Sequence, residues 1–128
     1  MTAPAAPEQD RALAAPFGTI GVVLPARETF GLLKSGAVAL CARDFAAHSR
    51  FRDSITILGS AVCEYPDVRY RRLVDWRRWY LRGRTAYVRA VIRAAEEDGF
   101  AVLEIQNRPQ FVAALHRGLP GVKLTLHL

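Results

Sequence analysis

The sequence has few of the residues that build metal centres or disulfide frameworks. It holds two cysteines and three histidines in 128 residues, and Cys41 and Cys63 show neither a CxxC motif nor a Cys/His ligand spacing. We expect both to be thiols in a reducing compartment, with Cys41 packed inside an apolar helix. The histidines at 48, 116 and 127 have no serine, cysteine or carboxylate at a familiar catalytic spacing. The pattern therefore indicates neither a metal site nor a catalytic triad.

Long apolar runs are missing as well. No stretch approaches the roughly 20 apolar residues that cross a bilayer, and the first residues lack the basic start, apolar stretch and cleavage site of a signal peptide. We therefore expect a cytoplasmic protein. Residues 1–17 are rich in Ala and Pro without an apolar period, which predicts a flexible tail. With 51% hydrophobic and 23% charged residues, residues 18–128 are expected to form one globular domain.

Negative charge is scarce relative to positive charge. Eighteen Lys and Arg against twelve Asp and Glu give a net charge of +6, which favours nucleic acid, a membrane surface or a phosphorylated ligand as partner. Much of this charge lies in a basic, aromatic stretch that we interpret first as a solvated face, second as a membrane contact and third, least favoured, as a nucleic-acid site. The residues of that membrane or anionic surface are Arg71, Arg72, Trp76, Arg77, Arg78 and Trp79.

What the sequence does contain is an alternation of short β-branched runs with helical patterns. Strands are predicted at residues 19–24, 54–58, 100–105 and 122–128, with a further short strand at 70–74. Helices are predicted at residues 37–48, at 84–98 and from Pro109 onward. Strands that alternate with helices of this length predict βαβ units and an α/β fold, with a Rossmann-like parallel sheet and flanking helices.

The apolar periods of the helices predict which side chains face the sheet. Val38, Cys41 and Phe45 recur at helical spacing in the first helix. The second helix carries an apolar stripe, and Gly99 stands where a C-terminal cap would lie. The residues of that stripe are Tyr87, Val88, Val91, Ile92 and Ala95.

The first candidate site follows the first strand, in the segment Phe30-Gly-Leu-Leu-Lys-Ser-Gly36. Gly36 would let backbone amides approach a phosphate at a helix start, and Ser35 could cap the helix or bond an oxygen. The spacing of Gly31 and Gly36 is that of a P-loop, but Ala37-Val38 stands where Lys-Ser/Thr is required, and G-x-G-x-x-G is absent. A P-loop NTPase and an ordinary NAD-binding domain are therefore disfavoured. Two glycines that merely shape a long turn are an equal alternative.

The second candidate site is Glu104-Ile-Gln-Asn-Arg-Pro109, which runs from a strand into a helix start. Hydrogen-bonding side chains converge here at the carboxyl edge of the predicted sheet, where ligands bind in open α/β folds. The structural alternative is that Asn107 or Arg108 caps the helix while Glu104 pairs with an arginine.

Together these segments resemble the amino-terminal half of retaining GT-B glycosyltransferases of the family-four type. The resemblance rests on Leu24-Pro-Ala-Arg-Glu-Thr-Phe-Gly31 running into Ser35-Gly-Ala-Val38, and on Glu104-Ile-Gln-Asn-Arg-Pro109 followed by Leu124-Thr-Leu-His-Leu128. It implies two Rossmann-like domains facing a cleft, with the acceptor bound mainly by the first domain and the nucleotide-sugar donor mainly by the second. Enzymes of this kind commonly need no metal, and we expect no cofactor besides the nucleotide-sugar substrate.

Carried over by position, the resemblance implies roles for particular residues. Gly31, Lys34, Ser35 and Gly36 would lie near the donor phosphates or the acceptor. The acceptor side of the cleft would be formed by Glu104, Asn107 and Arg108.

The resemblance also implies an acceptor class and an incomplete enzyme. The acceptor would be a glycan, a lipid-linked sugar or a lipopolysaccharide, met at the inner face of the membrane. The chain is expected to stop inside the first domain at Leu128 and to be inactive alone, with its catalytic residues unassigned. The rivals are a freestanding Rossmann-like module that binds nucleic acid or a protein partner, and a structural fragment whose last strand pairs with another chain.

Overall fold

A computed structural model of the chain describes residues 19–26, 29–31, 35–63, 65–73 and 76–128, and the side chains of residues 76–85 lie outside that description. The predicted tail at residues 1–17 lies outside it as well. The described strands are β1 (Thr19–Val23), β2 (Ile55–Gly59), β3 (Tyr70–Arg72), β4 (Phe100–Gln106) and β5 (Lys123–His127). The α-helices among these residues are α1 (Ala37–His48), α2 (Trp76–Asp98) and α3 (Val112–Gly118), with short 3-10 turns at Arg52–Ser54 and Pro109–Phe111.

The described strands form one sheet in which every pair is parallel, in the order β3-β2-β1-β4-β5. In the middle of the sheet, Val22 of β1 lies opposite Ile57 of β2 and Glu104 of β4. The chain builds outward from β1 to β3 and then crosses to the other side of β1, so the strand order reverses between β1 and β4. The predicted α/β fold with a Rossmann-like parallel sheet is thereby confirmed.

Helices α2 and α3 cover one face of the sheet. The predicted stripe of α2 is confirmed, because Tyr87, Val88, Val91 and Ala95 are buried there. They pack with side chains of the strands and of α3, and a fully buried valine such as Val91 contributes about 1.5–3 kcal/mol. The strand members of this core are Val23, Leu58, Phe100, Leu103 and Ile105, while Leu115 comes from α3 and Phe111 from the 3-10 turn before it.

Helix α2 begins at Trp76 rather than at the predicted Arg84. Residues 76–83 contain no proline, and Gly83 alone is not enough to stop a helix that is continued on its far side. At its other end the prediction holds: Gly99 has a φ of 71°, and its N–H donates to the carbonyl of Ala95 at 2.9 Å. Within the described part of the chain, no helix is both long and apolar enough to cross a membrane.

Helix α1 covers the opposite face, and here the predicted inward residues were wrong. Ala39, Ala42 and Ala46 face the sheet, whereas Cys41 is exposed and Phe45 is 75% exposed. The small alanines give a weaker apolar signal than the larger predicted residues, although Asp44 and His48 lie on the side of α1 opposite the alanines. Three alanines let the helix lie close to the larger side chains beneath it, which are Val22, Leu24, Phe30 and Ile57.

Candidate functional site

The two predicted segments lie beyond the carboxyl ends of neighbouring strands. The loop that contains Phe30 to Gly36 follows β1, and Asn107 and Arg108 follow β4. Because β1 and β4 pair directly and the strand order reverses between them, this is the place where open parallel sheets bind ligands. We call the two segments the β1 loop (residues 24–36, described at 24–26, 29–31 and 35–36) and the β4 loop (residues 107–109).

The start of the β1 loop is fixed by two side chains that sequence reasoning missed. The hydroxyl of Tyr87 donates to the carbonyl of Leu24 at 2.7 Å, and the hydroxyl of Ser60 donates to the carbonyl of Ala26 at 2.6 Å. Tyr87 is fully buried, and burial raises the pKa of its hydroxyl far above the ordinary value. The chain therefore leaves the sheet from a rigid, neutral anchor.

The β1 loop is closed on itself near its end. Phe30 and Ser35 form an antiparallel bridge, and the N–H of Gly36 donates to the carbonyl of Thr29 at 3.1 Å. The hydroxyl of Ser35 donates to the carbonyl of Gly31 at 2.7 Å. The helix cap position is taken by Gly36 without a side-chain hydrogen bond, so Ser35 does not cap α1. Lys34, the remaining predicted residue of this loop, lies outside the described residues.

The start of α1 presents backbone amides toward this loop. Ala37 and Val38 occupy the first turn of α1, where no carbonyl four residues earlier in the helix is available to accept from their N–H groups. The partial positive charge of a helix N-terminus favours an anion at this position. Gly36, the residue before this turn, has no side chain of its own to cover it.

The β4 loop displays side chains instead of backbone. Asn107 is exposed and has a φ of 52°, a left-handed conformation that asparagine tolerates better than most residues. Its N–H donates to the carbonyl of His127 at 2.6 Å, and its own carbonyl accepts from the guanidinium of Arg108 at 2.7 Å. Arg108 precedes the turn at Pro109 without a side-chain capping bond. The alternative in which Arg108 caps that helix is therefore not what the structure has.

Glu104 lies apart from this loop, within β4 and on the face covered by α1. Its carboxylate is 3.7 Å from the imidazole of His127, instead of pairing with an arginine. Both residues line a cleft of about 230 Å³ between α1 and the uncovered part of β4 and β5. The other lining residues named for it are Val22, Ala42, Phe45, Ala46, Ser49, Ile55 and Gln106.

The basic stretch is partly neutralised by its own surroundings. Arg71 pairs with Glu97 at 2.5 Å and with Asp98 at 2.8 Å, and these hydrogen bonds raise the pKa of its guanidinium. Arg72 donates to the carbonyl of Ser60 at 3.0 Å. The side chains of the remaining predicted surface, Trp76, Arg77, Arg78 and Trp79, lie outside the described residues. Arg71 is therefore a charged side chain on a solvated face, which is the first of our three interpretations of this stretch.

The described residues of the two loops offer backbone N–H groups, an exposed asparagine and a guanidinium, which are groups suited to an anion or a polyol. No group of three or more His, Cys, Asp or Glu that could hold a metal occurs in the described part of the chain. Neither the sequence nor the fold matches a protein-family model, a curated protein or a solved structure. The function must therefore be inferred from the geometry and from the motif resemblance.

Proposed function

We propose that the chain is the acceptor-side, amino-terminal part of a nucleotide-sugar-dependent glycosyltransferase. One observation carries the proposal: the strand order reverses between β1 and β4, and the two motifs that resemble family-four-type enzymes follow these two strands. Residues taken from separate parts of the sequence thereby meet at one edge of the sheet.

The two loops would have different tasks. The β1 loop offers the uncapped amides of Ala37 and Val38 to a donor phosphate or to an anionic group of the acceptor. The β4 loop offers the side-chain amide of Asn107 and the guanidinium of Arg108 to hydroxyls of the acceptor and of the sugar that the donor carries. These groups orient the substrates, and the activating contacts to the donor would come from a second domain that faces them.

The reaction would take place at a membrane surface. The acceptor would be a glycan, a lipid-linked sugar or a lipopolysaccharide, met at the cytoplasmic face of the membrane. The basic and aromatic start of α2 would contribute the membrane contact. By itself the chain is expected to show no glycosyl transfer, and turnover of a nucleotide-sugar by the isolated chain would contradict that expectation.

Binding measurements separate this function from a nucleic-acid-binding module. We would titrate the chain with UDP-glucose, UDP-N-acetylglucosamine and GDP-mannose, and separately with single-stranded RNA, at low and at moderate salt. We expect weak binding of a nucleotide-sugar, on the order of 1 mM, since most donor contacts would come from the second domain.

A matched pair of variants locates the bound ligand. Arg108→Ala should weaken nucleotide-sugar binding, whereas Arg117→Ala, at an exposed arginine on α3, should leave it unchanged. Indifference to all three nucleotide-sugars, together with RNA binding that falls steeply with salt, would instead establish the nucleic-acid-binding module.

A further inference from the structure

The β1 loop is closed by a side chain from a different loop. The hydroxyl of Tyr65, in the connection between β2 and β3, donates to the carbonyl of Gly31 at 3.1 Å and lies 2.9 Å from the hydroxyl of Ser35. Phe30 also forms a parallel bridge with Cys63, next to the same connection. The two loops are therefore joined at their backbones as well as by Tyr65.

The hydrogen bonds of this cluster leave Ser35 no proton for a ligand. A serine hydroxyl carries one proton, and that of Ser35 goes to the carbonyl of Gly31 at 2.7 Å. The single proton of Tyr65 is then shared between the Gly31 carbonyl and the Ser35 oxygen. Ser35 thus serves the loop itself, and Tyr65 completes the closure.

Two neighbouring side chains hold the ring of Tyr65 in place. The Phe30 ring lies 5.0 Å away between centroids, and the Arg43 guanidinium lies 4.4 Å from the centre of the Tyr65 ring. Arg43 is fixed in turn by Asp67, at 2.7 Å. A hydroxyl held in this way costs little further ordering when it bonds the loop.

We propose that Tyr65 is the positioning residue of the β1 loop, which holds the backbone near Gly31 and Gly36 in its binding conformation before a ligand arrives. Tyr65 need not touch the ligand. The part that concerns a ligand rests on the proposed function, whereas the closure of the loop can be tested without any ligand.

The experiment compares Tyr65→Phe with the natural chain by amide hydrogen exchange and by titration with UDP. The reporter of closure is the N–H of Gly36, because its bond to Thr29 exists only when the loop is closed. Loss of one hydrogen bond should speed exchange at Gly36 by about threefold to tenfold. The dissociation constant for UDP should rise by the factor by which the closed fraction of the loop falls, so it changes measurably only where the Tyr65→Phe loop is open for a substantial part of the time.

Tyr70→Phe is the matched control. It removes the same atom from a ring that also packs on Phe30, at 5.6 Å, but its hydroxyl donates to Ala61, at 2.5 Å, and not to the β1 loop. Faster exchange at Gly36 in Tyr65→Phe alone supports the proposal.

Other results distinguish the closure of the loop by Tyr65 from the effect of that closure on ligand binding. Unchanged exchange in Tyr65→Phe, or equal changes in both variants, overturns the closure by Tyr65. A Tyr65→Phe loop that exchange shows to be mostly open, together with an unchanged UDP constant, overturns its positioning role. If the natural chain binds no UDP, the proposed function is contradicted, and the exchange result alone decides the closure.

Discussion

The β1 loop and the β4 loop lie at the same edge of the sheet but are built in opposite ways. Hydrogen bonds from Tyr87, Ser60 and Tyr65 hold the carbonyls of the β1 loop, and its own serine bonds back to it. The β4 loop has two backbone contacts, and it exposes Asn107. One loop is a scaffold that offers backbone amides, and the other displays side chains.

This difference predicts how the two loops respond to substitution. In the β1 loop, a lost side chain leaves a carbonyl without a partner and so lowers stability first and binding as a consequence. In the β4 loop, a lost side chain removes a candidate ligand contact and leaves the fold nearly unchanged. Substitutions in the β1 loop should therefore change mainly the stability of the fold, and substitutions in the β4 loop mainly the binding of the ligand.

The largest effect is expected for Tyr87→Phe. The variant leaves the buried carbonyl of Leu24 without its donor, which should lower the free energy of unfolding by about 1–3 kcal/mol. Urea unfolding measures the change. Arg108→Ala, in the other loop, is the control and should stay within about 0.5 kcal/mol of the natural chain. Equal losses of unfolding free energy in both variants would contradict the proposed difference between the two loops.

A smaller effect is expected at Asn107, where the backbone and the side chain can be tested separately. Asn107→Ala should cost about 1 kcal/mol, because alanine is disfavoured at a φ of 52°. Asn107→Gly accepts this backbone and should be close to neutral in thermal unfolding. If Asn107 contacts the acceptor, both variants should lose the same binding. If Asn107→Gly binds as tightly as the natural chain, the side chain of Asn107 does not contact the ligand.

The smallest effect is expected for Glu104→Gln. The pair with His127 is partly exposed, so its loss should change the unfolding free energy by less than about 1 kcal/mol. The variant sharpens the comparison, because the sequence groups Glu104 with Asn107 and Arg108, whereas the structure places it in the cleft beside α1. Weaker nucleotide-sugar binding in this variant would show that the site extends onto that face.

The sequence is most informative where residues near each other in the chain decide the outcome. The stripe from Tyr87 to Ala95 has large apolar residues on one side and charged residues on the other, so its inward face could be predicted. In helix α1, Asp44 and His48 mark the outer face opposite the buried alanines, but Ala39, Ala42 and Ala46 give a weaker apolar signal than the larger residues of the predicted set. A pattern read from the large apolar residues alone therefore predicts the wrong face of α1.

The candidate site shows the same division. The places of the two loops follow from the alternation of strands and helices, and the residues at the carboxyl ends of β1 and β4 could be named in advance. The bonds from Tyr65 to Gly31 and from Ser60 to Ala26 join residues 34 positions apart. Such contacts depend on how the strands are ordered in the sheet, which a single sequence does not state.

The most direct test of the proposed site is a map of backbone amide chemical shifts during titration with a nucleotide-sugar. We predict that the changes cluster at Gly31, Gly36 and Ala37 of the β1 loop and at Asn107 and Arg108 of the β4 loop. Changes confined to the outer groove between α2 and α3, around Arg89 and Arg117, or no saturable changes at all, would contradict a substrate site at the carboxyl ends of β1 and β4.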